Sequence, residues 1–409
     1  MTTEKTKATP ARLTRTVALT TMAMLGVSYI LNAMDRQLFP VLLPDIRADL
    51  GLALSQGGLL ATVFTLGIGL AGVPTGILLD RLSRKAVMAV GILIYSGFTL
   101  LTAFAVGFLD MFAYRALSGV GEAMQITALF AAVGAYFHAS RALALGYLNT
   151  VFGLGSVLGP YLGALLATAS GHWTTPFITY GLLGLVMIVV LWFGVPKVFS
   201  ERAEPAGTAA AAGGGHLPAF LLNRNTVLLA VSAGVVGVML YSYLGIYPTY
   251  LQEELGFTRT EAGFAAAMFG CGAMLSIVGG YLGDRLDQRR LMLVCLVGLS
   301  VVGLVMFHVP GGHGLQYTLS FAEGALASGV LFVNLYSAIQ RSVRPELAGR
   351  VSGLFVACFY IPSAFAGYLF TALKGHFGWG GAAVGVLGIL PIVALATLLL
   401  VKTEKGTHR

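Results

Sequence analysis

The sequence predicts an all-α polytopic membrane protein, with twelve transmembrane helices in two pseudo-symmetric bundles of six. Three observations lead there. Of the 409 residues, 57% are hydrophobic and only 10% are charged, where soluble domains carry about 25% charged residues. Apolar runs of about 18 residues or more recur along the chain, long enough to cross a hydrocarbon core of about 30 Å. The second half also echoes the first at an offset of 204 or 205 positions. "GILLDRLSRK" (76–85) returns as "GYLGDRLDQRR" (280–290), "GH" (171–172) returns at 375–376, and "LGL" (50–52) matches "LGF" (255–257). A duplicated six-helix unit places a site near the midplane, between the halves.

Taken in order, the expected spans are 17–43, 54–79, 86–107, 109–135, 142–169, 174–195, 225–251, 260–282, 291–309, 314–340, 348–373 and 379–401. They divide the chain into a tail (1–16), a first bundle (17–195), a linker (196–224), a second bundle (225–401) and a second tail (402–409). The 54 glycines suit helices that approach closely through small residues. The linker, "PKVFSERAEPAGTAAAAGGGHLPAFLLNR", is rich in Ala, Gly and Pro, and reads as a flexible tether. The basic start, "MTTEKTKATPARLTRT", precedes an apolar run too long for a signal-peptide core, so it reads as a retained tail.

Charge supplies the orientation. With twelve spans laid out, 20 of the 25 Lys and Arg fall on the side that carries both termini. By the positive-inside rule that side is the cytoplasm, for a multi-pass protein of the plasma (inner) membrane. The net charge of +8 is therefore topology, and no nucleic-acid partner is expected. Cys271, Cys295 and Cys358 sit in apolar runs without disulfide or metal spacing. There is no nucleotide loop, nucleophile–base pair or metal motif, so we expect no enzyme and no cofactor. A receptor is disfavoured because no soluble sensor segment is present, and a monomer is expected.

The loop after the second span reads Gly76-x-x-x-Asp80-Arg81-x-x-Arg84-Lys85, with a copy at Gly280-x-x-x-Asp284-Arg285. An acid at a helix end among basic residues can latch neighbouring helices, although plain positive-inside charge is the simpler account. With its repeat, this loop resembles the signature of the major facilitator superfamily, and the resemblance spans essentially the whole chain. It implies alternating access, by rocking of two bundles about a midplane site, with these loop residues as a conformational gate.

Five ionisable residues lie deep in the expected spans: Asp35, Arg36, Arg115, Glu122 and Glu323. Each costs about 2.5–3.5 kcal/mol at a helix centre on insertion scales, so such groups usually face a cavity and carry function. In "YRALSGVGEAMQ" (114–125), Arg115 and Glu122 are seven apart and share a helix face, with Gln125 close to one turn further on. Tyr29, Asn32 and Arg36 share a face of the first span, and Asp35 is one step round. From the outer ends of their spans, Glu122 lies about 18 Å deep and Asp35 about 13 Å, so both carboxylates could border one cavity. The quartet could simply be neutral and structural, yet buried pairs often add little net stability over apolar packing. The alternative is functional. An Arg fork matches a carboxylate. Burial disfavours a charged acid and a nearby Arg restores it, so an anion occupying the Arg would favour protonation of the acid.

Asp-Arg in the first span followed by Arg-(x)6-Glu in the fourth resembles the anion:cation symporter branch of the superfamily. That resemblance implies proton coupling at Asp35 and Glu122, and contact of Arg36 and Arg115 with a small organic anion of carboxylate or sugar-acid type. Tyr29, Asn32, Gln125, Tyr241, Tyr243 and Asn334 are further candidate ligands, although "YSYLGIYPTYL" also fits an aromatic belt in the interface with membrane lipid. Glu323 reads as a protonated acid bonded to a neighbour, or as a second proton site. Two alternatives stay open. "GVGEA" (119–123) and "DRQLFPVLLPDIRADLGL" (35–52) also resemble Spinster-like lysolipid transporters. "GSVLGPYLG" (155–163) resembles a glycine motif of proton-coupled exporters, and reads equally as close helix packing.

Overall fold

A chain in lipid has to satisfy its backbone groups internally, and helices do so within each segment. The structure, a computed structural model, describes residues 14–137, 141–197, 218, 220–344 and 347–401. Most of the linker and both tails expected from the sequence lie outside the described residues.

In the first half, α1 is Arg15–Leu50, α2 is two consecutive segments (Leu54–Thr62 and Phe64–Arg81), and α3 is Arg84–Thr102. Then follow α4 (Phe108–Tyr136), α5 (Arg141–Ser170) and α6 (Thr174–Gly194). In the second half, α7 is Arg224–Glu253, α8 is Arg259–Ala273 with Ser276–Arg285, and α9 is Gln288–His308. α10 joins His313–Gly324, a π-helical stretch Ala325–Leu331, and Phe332–Arg341. The helix of the first span runs to Leu50, past the expected limit of 43, because Pro40 and Pro44 lie inside it without ending it. It stops at Gly51, whose φ of 63° is left-handed and suited to glycine. The helix of the third span ends at Thr102, short of the expected 107.

The last apolar helical run, Arg350–Leu400, is 51 residues long. As one helix it would measure about 76 Å, far beyond a single crossing. Gly378 breaks it at φ 70° and ψ −179°, a backbone that residues with a Cβ rarely adopt. The chain then doubles back, so that a Cβ added to Gly385 would lie 3.1 Å from Leu373. α11 (348–377) therefore ends and α12 (379–400) begins at Gly378, which makes twelve spans and puts Arg15 and Leu400 on one face.

The repeat seen in the sequence is also a repeat of contacts. α1 packs on α5 and α2 on α4 in the first half, and α7 packs on α11 and α8 on α10 in the second. A Cβ on Gly119 would meet the Phe64 carbonyl oxygen at 1.9 Å, and one on Gly324 would meet that of Phe269 at 2.0 Å. Both pairs sit at the same 205-residue offset. The halves meet mainly through α2 on α11 and α5 on α8. The glycine motif of α5 is explained by packing: Gly155, Gly159 and Gly163 abut Ile30 and Ala33, Met34, and Leu38 of α1.

Candidate functional site

α1 touches α5 and α6 of its own bundle and α7 and α8 of the other. Successive residues along it, about 100° apart, therefore face different surroundings. Arg36 faces the seam between the halves. Its Nε donates to Glu122 Oε2 at 2.9 Å, its guanidinium lies 5.5 Å from the Phe152 ring centre, and Tyr241 and Tyr360 of the second bundle are in its electrostatic range. Asp35 faces the interior of the first bundle. Arg115 is its strongest charged neighbour, the Thr99 hydroxyl is beside it, and Tyr95 and Tyr180 lie within its field. The two carboxylates are within electrostatic range of each other, and Arg115 is within range of both. Glu122 is at the seam with Arg36, and Asp35 lies behind it with Arg115.

Arg115 holds the centre. It is 0% exposed, with its guanidinium carbon 5.0 Å from the Phe39 ring centre and 5.2 Å from that of Phe64. Its Nε, Nη1 and Nη2 have no hydrogen-bond partner, nor have Arg36 Nη2, Glu122 Oε1 or either Asp35 oxygen. Buried polar groups are normally paired. Here guanidinium donors are held rigidly between aromatic faces, which favours a ligand that brings its own acceptors in a plane, such as a carboxylate.

The other candidates divide. Asn32 Nδ2 donates to Gln125 Oε1 at 2.9 Å, and Gln125 Nε2 donates to the Ser28 carbonyl at 3.1 Å, so these amides tie α1 to α4 beside the charges. Tyr29 packs its ring against Phe130 and Phe152. Tyr241 stands 205 positions after Arg36 and meets the first bundle at Phe64, ring centres 5.8 Å apart. The Tyr243 hydroxyl lies inside the second bundle, 2.6 Å from Ser320 Oγ. Asn334 Nδ2 donates to the Gly279 carbonyl at 3.0 Å, which joins α10 to α8 away from the centre. Glu323 is not bonded to a neighbour as expected, because neither of its oxygens has a partner. Sequence reading missed Phe39, Phe64, Phe152 and Tyr360. Aromatic residues are frequent throughout the chain, so nothing in the sequence marks these four.

At the face carrying Arg15 and Leu400, the Asp80 side chain lies outside the described residues, and a Cβ on Gly76 would touch nothing. Lys85 Nζ donates to the Val195 carbonyl at 2.8 Å and sits 5.6 Å from the Trp192 ring centre, which binds α3 to the end of α6. In the copy, Asp284 takes a hydrogen bond from Arg341 Nη2 at 2.7 Å, linking α8 to α10. Arg285 lies over Tyr281. Arg81 and the buried Arg84 flank this turn.

The opposite face carries ion pairs between the bundles. Arg259 grips Asp45 through Nε at 2.8 Å and Nη2 at 2.5 Å, and Arg47 pairs with Glu253. Partly exposed pairs contribute up to about 1 kcal/mol each, about fivefold in a conformational equilibrium. Asp45→Asn should therefore raise, about fivefold, the thiol-labelling rate of a cysteine placed at Gln37 in the seam. An unchanged rate would show that the pair does not hold this face shut.

Residues 25–367, and again 229–409, match the sequence model of the Major Facilitator Superfamily. The chain belongs to that superfamily. Its members are transporters, not enzymes. This facilitator is 26% identical to the hexuronate transporter of Bacillus subtilis, over 92% of this chain and 93% of the relative. It is also 26% identical to that organism's probable galactarate/D-glucarate transporter, over 96% and 94%. A putative metabolite transport protein of Haemophilus influenzae is 27% identical, over 94% and 96%. Among solved structures, a bacterial homologue of the human lysosomal transporter Spinster, inward-facing and unoccupied, superposes with TM-score 0.72 at 19% identity, over 95% of both chains. A point mutant of the nucleoside transporter NupG gives 0.74 at 13%, over 93% of this chain and all of that one. At such identities these likenesses describe the fold alone.

Proposed function

We propose that this facilitator is a proton-coupled symporter of a small organic anion, of carboxylate or sugar-acid type, working by alternating access. The observation that carries the reading is Arg115, a buried guanidinium with three unpaired nitrogens between Phe39 and Phe64, with the acid Asp35 behind it. Relatives named for hexuronate and for galactarate and D-glucarate support the substrate class. In this scheme the substrate carboxylate bridges Arg115 and Arg36. Glu122, displaced from Arg36, takes a proton, and so does Asp35 once Arg115 is engaged. The loaded centre then carries one net positive charge with a monoanion and none with a dianion, against four charged side chains when empty, and the bundles can rock. The basic face, with both termini, is assigned to the cytoplasm of the cell carrying the protein in its plasma membrane, and the monomer is the working unit.

The scheme has consequences for driving force. A monoanion entering with one proton moves no net charge, so one pH unit supplies about 1.4 kcal/mol, tenfold. With two protons the step also feels the membrane potential, about 2.3 kcal/mol per 100 mV. The deciding experiment uses proteoliposomes with a lumenal pH dye and an external pool of hexuronate, galactarate and galactonate. Acidification of the lumen by the pool, absent with Asp35→Asn, supports symport. Silence with the pool but proton movement with lysolipids or lipophilic cations would replace it with the lipid-transporter or exporter reading.

A further inference from the structure

The second bundle contains a polar ladder that the anion site does not use. Gln316, Ser320 and Glu323 lie at i, i+4 and i+7 on α10, one helix face, and each is 0% exposed. Tyr243 and Tyr247 of α7 stand opposite, their rings 4.9 Å apart. Tyr247 donates its hydroxyl hydrogen to the carbonyl or the Oε1 of Gln316, each at 3.1 Å. Ser320 Oγ donates to the Ala265 carbonyl at 2.5 Å, so at the 2.6 Å contact Tyr243 is the donor and Ser320 the acceptor. Gln316 Nε2 reaches the carbonyls of Met306 at 3.3 Å and Val309 at 3.5 Å. Val309 is 44% exposed, at the end of α9 on the face opposite Arg15 and Leu400. The tyrosines also line a small cavity in the seam with Gln37, Pro40 and Pro248.

Beside the ladder, on the same helix face but bonded to none of its members, is Glu323, both of whose oxygens are buried without a hydrogen-bond partner. An isolated carboxylate there would be far costlier than the neutral acid, so the group carries its proton in this conformation. Among the described residues, Tyr243 and Tyr247 are the titratable side chains whose electrostatics extend to it. α8 meets this stretch of α10 through Phe269 and Gly272, and α9 meets it through Gly298 against Leu326, none of them charged. Directly after Glu323, α10 turns π-helical over Ala325–Leu331. Such segments carry an extra residue per turn and recur at functional sites.

We propose that Glu323 is a second proton-binding site, exchanging protons with the face opposite Arg15 and Leu400 through Tyr243, Ser320, Tyr247 and Gln316. The step is a plain proton transfer: the carboxylic O–H breaks, the carboxylate remains, and the proton passes to water admitted along the polar face of Ser320, Tyr243, Tyr247 and Gln316. Its use in the transport cycle rests on the reading above, whereas its exchange with solvent does not. The test is therefore infrared spectroscopy of the full-length protein in proteoliposomes, without substrate, following the protonated-carboxyl C=O band after transfer to deuterated water and across a pH series. A band that disappears in Glu323→Gln, and whose deuterium shift slows about tenfold or more in Tyr247→Phe and in Gln316→Met, is the expected result. Should Glu323→Gln not fold, the two ladder variants decide by exchange rate alone. A band indifferent to pH and to deuterium, or exchange unchanged in both ladder variants, overturns the proposal whatever the anion assays show.

Discussion

Asp35→Asn abolishes uphill accumulation of the anion while leaving anion exchange intact. With two protons per monoanion, one pH unit and 100 mV together supply about 5 kcal/mol, an accumulation of several thousandfold. Asn matches the shape of the protonated acid and cannot release a proton, so the cycle runs as though permanently loaded. Asp35 is beside Arg115 and Thr99, and the substitution keeps both arginines that bind the anion in this scheme. Counterflow of labelled anion should persist at about the wild-type rate, while the steady-state gradient falls to about unity. Glu122→Gln should behave differently in one respect. Arg36 Nε loses its charged partner and becomes available, so anion affinity should depend less steeply on pH, through Asp35 alone. Normal proton-driven accumulation in both variants would end the coupling assignment. Because removing one member of a buried ion pair can cost about 3–5 kcal/mol, thermal stability should be measured alongside Glu122→Gln.

Arg115→Lys loses anion binding by on the order of 10–100-fold, despite keeping the charge. A hydrogen bond to a charged group contributes about 1.5–3 kcal/mol. The planar fork makes two such bonds, where an ammonium is a compact point charge on a flexible stem. The Phe39 and Phe64 rings, at 5.0 Å and 5.2 Å, are placed for a flat cation and offer an ammonium no fixed orientation. Binding followed by tryptophan fluorescence or calorimetry in detergent would separate this loss from any effect on transport rate. Unchanged affinity would remove Arg115 from the site and leave it as the structural partner of Asp35.

How much of this was legible in the sequence varies with the interaction. The span count was readable because hydrophobic length is a local property. Even the 51-residue run at the end divides where expected, since a Gly-rich stretch around 378–381 interrupts it. The four central charges were readable because charge stands out against an apolar background. Their partners were not. Asp35 and Arg36 are adjacent, and the helical wheel says only that they diverge. It does not say that one meets Thr99 and the other Glu122, 86 residues away. The pairs closing the opposite face join residues 206 and 214 apart, and no periodicity within a helix encodes them. Tyr243 reads from the sequence as a candidate ligand in a tyrosine run and Glu323 as a lone acid; that they face one another depends on how α7 lies against α10.

By itself the sequence determined the membrane class, the twelve helices, the duplicated halves and the identity of the charges in lipid. Each follows from the high cost of exposing backbone or charge to hydrocarbon, a penalty that applies segment by segment. Only the tertiary structure decided which neighbours each central charge meets, which aromatic rings hold Arg115, and which face is tied by ion pairs. Those outcomes depend on the rotation and close approach of whole helices, set by glycine-to-carbonyl contacts such as Gly119 on Phe64 and Gly324 on Phe269, and such approaches are properties of pairs of helices.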